Sequence, residues 1–194
     1  MSVLHWSTSF DYKFLLKVDD DVLLNPEKIH QIIHQVVPST LYKEKLVLGF
    51  PVNNATVHRH GKYKVEFKDY FQSQYPQFVL GSFYILTAST VEAIVKEGLK
   101  DVKISLEDVA ITGVLRKRLN IVLLSLKRYM VPSLDYVTEL IKFFRGDIEN
   151  CVEHLREYGI VHMQFEDDKD NKSNAEIEKV SEWIWRKVWK LRVR

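Results

Sequence analysis

Three observations predict an α/β layered domain with a largely parallel or mixed sheet. Continuous apolar runs of strand length alternate with segments of helical period. Turn and cap residues separate the two kinds of segment where a change of element needs them. The composition, 46% apolar and 28% charged over 194 residues, is that of an ordinary globular chain long enough to bury one core. No internal repeat or low-complexity tract divides it, so a single domain over residues 1–194 is expected.

The elements follow in order. Lys13 to Val18, "KFLLKV", is too short and too continuously apolar for a helix and reads as a buried strand. Asn25-Pro26 is an N-cap followed by proline at the first helical position. Ile29, Ile32, Ile33, Val36 and Val37 then recur at helical spacing up to Pro38. "KLVLGF" reads as a strand and "PVNNATVHRHG" as a polar loop. "QFVLGSFYILT" reads as a strand interrupted by Gly81, leading into the helix "STVEAIVKEGL", which stops near Gly98. "SLEDVAITGVLRKRL" has the acidic first turn of a helix and "NIVLLSL" is strand again. The last third reads as the helix "GDIENCVEHLREY", the strand "GIVHMQF", the solvated loop "DDKDNKSN" and a closing helix from Ala175. That helix carries Ile177, Val180, Ile184 and Val188 on one face.

Bulk properties exclude several function classes. A net charge of +2 gives no global field for nucleic acid or an anionic membrane. A single cysteine, Cys151, allows no internal disulfide and no cysteine-based zinc site. No basic n-region opens the chain and no run approaches the roughly 18 to 20 apolar residues of a membrane span, so no targeting signal or anchor is expected in this sequence.

The chemistry gathers at a few positions. Asp19, Asp20 and Asp21 follow the first strand directly, at the carboxyl end where open α/β sheets collect ligands. On extended backbone Asp19 and Asp21 point to one side, as oxygen ligands for Mg²⁺ or Mn²⁺ on a substrate diphosphate. A solvated acidic turn is the alternative. Glu107-Asp108 either favours a helix dipole, worth roughly 0.3–1 kcal/mol, or supplies a general base. His162, near a strand end, is a core histidine or a further ligand. His58 and His60 read as solvated loop residues. The tryptophan-rich, basic "EWIWRKVWKLRVR" reads as core packing with a basic outer face.

Taken in order, these segments resemble the β-1,3-galactosyltransferase and N-acetylglucosaminyltransferase group, glycosyltransferase family 31. The family's K-x-D-D-D-V-x-x-N motif is matched by Lys17 to Asn25, and its K-W-Y-V-like segment by "KYKV", Lys62 to Val65. Its Y-P-x-Y-C-S-G-G-G-Y-V-L-S segment aligns with "YPQFVLGSFYILT", and its E-D-V-x-x-G with "EDVAITG", with one extra residue before the glycine. Its cysteine followed by V-H resembles Cys151 and "IVH" through His162. Val79 stands where the family has a cysteine, and Ser82 and Phe83 replace two of three glycines.

The resemblance implies a Rossmann-like GT-A-type glycosyltransferase domain, a mixed sheet flanked by helices, with its N-terminal part missing. It implies metal-dependent, inverting transfer of galactose or N-acetylglucosamine from a UDP-sugar to a glycan hydroxyl on a glycoprotein or glycolipid, in β-1,3 linkage. Asp108 is then the catalytic base, Asp19, Asp20, Gly81 and Glu107 contact the donor, and Asp19, Asp21 and His162 hold Mn²⁺ or Mg²⁺. Residence at the lumenal face of the Golgi membrane, through an anchor absent from this chain, is also an implication of the family. The rival expectation is an inactive relative that serves as a binding module.

Overall fold

In the computed structural model the described residues are 2–98, 102–131, 148–162, 179 and 182–188. The loop "DDKDNKSN" and most of the closing helix lie outside them. The chain divides into two compact units, Met1–Asp19 with Val37–Lys127, and Asp20–Val36 with Arg128–Arg194.

The first unit is built on β1 (Phe14–Val18), β3 (Leu46–Val52), β4 (Phe78–Thr87) and β5 (Val122–Ser125), in the spatial order β1-β4-β3-β5. The β1–β4 and β3–β4 pairs are antiparallel and the β3–β5 pair is parallel, so this sheet is mixed as expected. β4 runs unbroken through Gly81 rather than being interrupted there. β3 extends past the expected Phe50 to Val52, with its register shifting between Gly49 and Pro51, where proline has no N–H to give the ladder.

Helix α3 (Ala88–Glu97) follows β4 directly and buries Thr90, Val91 and Ile94. Its start is fastened to the head of β3: the Thr90 hydroxyl donates to the Leu46 carbonyl, and Thr87 Oγ1 accepts from the Leu46 N–H while donating to the Glu44 carbonyl. It ends where Gly98 donates to the Ile94 carbonyl, as the sequence predicts. Val47, Val79, Tyr84, Leu86, Val91, Ile94, Ile111, Leu115 and Ile121 form the core cluster over this sheet. A short helix the sequence reading missed, α1 (Ser2–Ser7), adds Leu4 to that cluster.

The expected helix over "SLEDVAITGVLRKRL" is π-helical from Val109 to Leu115 and ends in one α-turn, α4 (Arg116–Arg118). Side-chain bonds, some local and some to β4 and the residue before it, accompany its wide turns. The Thr112 hydroxyl donates to the Asp108 carbonyl at 2.6 Å and accepts from the Val79 N–H at 3.0 Å, tying the segment to β4. Arg116 then donates to the carbonyls of Thr112 and Gln77.

The polar connection between β3 and β4 is held by Arg59. Its guanidinium donates to the carbonyls of Val65 and Gln72 and lies 5.3 Å from the centroid of the Phe67 ring. His58 and His60 on either side are exposed, in line with a solvated loop.

The second unit holds β2 (Val22–Leu24), α2 (Pro26–Val36), β6 (Met130–Val131), α5 (Ile148–Arg156) and β7 (Ile160–His162), with strand order β2-β7-β6. α2 has the expected anatomy. The Asn25 side chain accepts from the Lys28 N–H at 3.1 Å, Pro26 opens the helix, and Ile29, Ile32 and Ile33 are buried. No helix among the described residues is long and apolar enough to cross a membrane.

Candidate active site

Asp108 is the centre of the site in the first unit. It sits at the N-terminus of the π-helical segment, and its carboxylate accepts from the Val109 N–H at 2.8 Å. The same carboxylate lies against β4 at Gly81. A Cβ built on Gly81 would come within 3.0 Å of Asp108 Oδ2 and 3.2 Å of both its Cβ and its Cγ. Glycine gives the closest fit here, because a side chain would press on the Asp108 carboxylate and push it back by a few tenths of an ångström. Burial raises the pKa of Asp108, while the Val109 and Gly81 N–H groups and the Lys17 ammonium pull it back. Its position is fixed by the Val109 N–H and the close approach to Gly81.

Glu107 is held from the other side. The Tyr84 ring is in the core, 1% exposed, and its hydroxyl donates to Glu107 Oε1. Burial and the neighbouring carboxylate push the Tyr84 pKa far above its usual range, so the phenol stays protonated and remains a donor. Glu107 as a residue is exposed, yet its carboxyl end is crowded by protein. That partial loss of water raises its pKa against the pull of Tyr84 and Lys17, and Asp108 and Asp19 add to the rise.

Lys17 supplies the balancing positive charge. It pairs with Tyr84 across the β1–β4 ladder, and its ammonium bonds both Asp19 Oδ1 and the Gly81 carbonyl. The Asp19 N–H donates to the Ser82 carbonyl at 2.9 Å, carrying the ladder one residue past the strand. Asp19, Gly81, Glu107 and Asp108 are therefore linked within one unit through Lys17 and Tyr84, to which the sequence reading gave no role. A lysine inside an otherwise apolar strand and a tyrosine in a core run were the available signals, since both must find polar partners when buried.

The other expected residues lie in the second unit. β1 ends at Val18, and Asp20 and Asp21 form a turn, so strand alternation says nothing of how they point. Asp20 is exposed and Asp21 half-buried. The antiparallel β2–β7 pairing sets His162 opposite Val22, the residue after Asp21. Among the described residues, no group of three or more His, Cys, Asp or Glu side chains is arranged to hold a metal ion.

The galactosyltransferase family model matches residues 1–127. Beta-1,3-galactosyltransferase 1 of Mus musculus is 29% identical over 117 residues, covering 59% of this chain and 35% of that one. Beta-1,3-galactosyltransferase bre-2 of Caenorhabditis elegans is 30% identical over 105 residues, 51% of this chain and 29% of that one. UDP-GalNAc:beta-1,3-N-acetylgalactosaminyltransferase 2 of Xenopus tropicalis is 29% identical over 93 residues, 47% of this chain and 18% of that one. The matched parts thus span roughly a third or less of these relatives' length. The mixed α/β layering agrees with the GT-A-type fold that the motifs imply. With the family match extending over the aspartate triplet, Gly81 and the Glu107-Asp108 pair, this chain belongs to the galactosyltransferase family.

Proposed function

We propose that this chain carries catalytic residues of an inverting UDP-hexosyltransferase that moves galactose or N-acetylglucosamine onto a glycan hydroxyl of a glycoprotein or glycolipid, in β-1,3 linkage. Residence in the Golgi lumen belongs to the same reading. The observation that carries it is the Asp108 carboxylate, seated against Gly81 and oriented by the Val109 N–H. In its ionised form Asp108 accepts the acceptor hydroxyl's proton. The freed oxygen attacks the anomeric carbon, the new glycosidic bond forms as the bond to phosphate breaks, and UDP leaves from the opposite face. Such general-base help is worth roughly 10²–10⁴-fold.

Glu107, held by Tyr84, and Gly81 belong to the donor contacts, with Asp19 and Asp20. For the cation, the family motifs point to Asp19, Asp21 and His162, whose oxygen and imidazole donors suit Mn²⁺ or Mg²⁺ as a chemical set. When bound, such a cation neutralises charge developing on the leaving diphosphate. We assign both units to one catalytic domain.

The test is UDP release from UDP-galactose and UDP-N-acetylglucosamine with a glycan acceptor and Mn²⁺. Asp108→Asn is expected to lower turnover at least about 100-fold while UDP still binds. In the unsubstituted chain the rate is expected to rise with pH through the raised Asp108 pKa and level off above it, because only the ionised form accepts a proton. Turnover that survives Asp108→Asn overturns the assignment. UDP binding without turnover in the unsubstituted chain favours the inactive binding module.

A further inference from the structure

The outer face of α2 carries two histidines one turn apart that the transfer reaction does not use. His30 and His34 are both exposed, on the side of the helix away from Ile29, Ile32 and Ile33. Their rings meet edge to face with centroids 4.4 Å apart, and their Nε2 atoms approach to 3.1 Å. Two imidazole nitrogens at about 2.0–2.1 Å from one divalent ion, at an angle between roughly 90° and 110°, are themselves separated by about 2.9–3.4 Å. The observed separation falls inside that interval, so both Nε2 atoms can reach one cation lying to the side of the line between them once the rings turn their lone pairs toward it.

We infer that His30 and His34 form a two-histidine chelate for a borderline divalent transition ion, Zn²⁺, Cu²⁺ or Ni²⁺, with water completing the coordination shell. The i, i+4 spacing is what sets both rings over one point of the helix surface. The backbone that presents them is firm, since α2 is capped by Asn25 and anchored by three buried isoleucines. The donor chemistry separates this site from the carboxylate-rich cation site proposed for transfer. Imidazole pairs favour Zn²⁺, Cu²⁺ and Ni²⁺, whereas Mg²⁺ and Mn²⁺ favour oxygen. Because the pair exists only when α2 is helical, bound ion stabilises the folded chain by mass action.

The test is calorimetric titration of the full chain with ZnCl₂ and NiCl₂ at neutral pH, with thermal unfolding alongside. The expected result is one equivalent of binding that depends on His30 and His34, and a rise in Tm with ion concentration. His30→Gln or His34→Gln should each weaken that binding at least about tenfold, the scale on which losing even a supporting group weakens a metal site. His34→Gln combined with Gln35→His keeps the histidine count but breaks the spacing, and should weaken binding equally. His58→Gln with His60→Gln should leave it unchanged. Absence of binding in the unsubstituted chain, or equal affinity in the His30 and His34 variants, overturns the proposal.

Discussion

Gly81→Ala tests the packing of Asp108 against β4 more sharply than removing the carboxylate does. The new methyl would lie 3.0 Å from Oδ2 and 3.2 Å from Cβ and Cγ of Asp108. Ordinary carbon contacts begin near 3.5 Å, so the aspartate must retreat by about 0.3–0.5 Å. It has little freedom to do so. Its carboxylate is bonded to the Val109 N–H at 2.8 Å and its carbonyl to Thr112, whose hydroxyl also accepts from Val79 on the same strand as Gly81. Overpacking of this kind costs about 1–3 kcal/mol, offset by about 0.4–1 kcal/mol from the stiffer unfolded chain. The net loss is then between about 0 and about 2.6 kcal/mol in urea unfolding. If 1 Å of misplacement costs about 100-fold in rate, a shift of half that size should cost about tenfold in turnover. Gly61→Ala is the control. Gly61 has φ +80 and nothing within 4 Å of a built Cβ, so its loss of about 1–2 kcal/mol comes from backbone strain, with turnover unchanged. A Gly81→Ala protein with unaltered unfolding and unaltered turnover would refute the close-approach argument.

Two further predictions concern stability. Glu107 has a raised pKa in the folded state, so folding favours its protonated form and the stability it lends at low pH is lost as pH rises through that pKa. Glu107→Gln, which keeps an acceptor for Tyr84, should therefore raise Tm at neutral pH, with the difference shrinking as pH falls below the usual carboxylate range. A pH-independent difference would contradict the burial argument. Asn25→Ala removes the side-chain bond to the Lys28 N–H at the start of α2. It should cost about 0.5–2 kcal/mol in urea unfolding, and Asn25→Ser should recover most of it.

The parts of the fold legible in the sequence were those fixed by neighbouring residues. Asn25-Pro26 and the isoleucine spacing contain everything α2 needs, and Gly98 alone announces the end of α3. The aspartate triplet was legible as the end of β1, but the buried strand expected there was not found: Phe14, Leu15 and Lys17 are half-buried and Leu16 and Val18 are exposed, because an apolar run does not tell which face the sheet covers. What was not legible depends on residues distant in the chain. The π-helical turns at Val109–Leu115 coincide with Thr112 bridging Asp108 and Val79, the latter a bond across 33 positions that local sequence does not show. Gly81 looked like a break in β4 because the sequence does not reveal that Asp108 fills the space beside it. Lys17 and Tyr84 were visible inside their motifs, but their polar partners are brought by the β1–β4 ladder and by the segment starting at Glu107.

The central claim is that Asp108 is the proton acceptor of a UDP-hexosyl transfer. It is tested most directly by single-turnover transfer from UDP-galactose to a glycan acceptor in the unsubstituted chain and in Asp108→Asn, with UDP affinity measured on both. The account predicts unchanged UDP affinity and a transfer rate lowered at least about 100-fold. Equal transfer rates in the two proteins would contradict it.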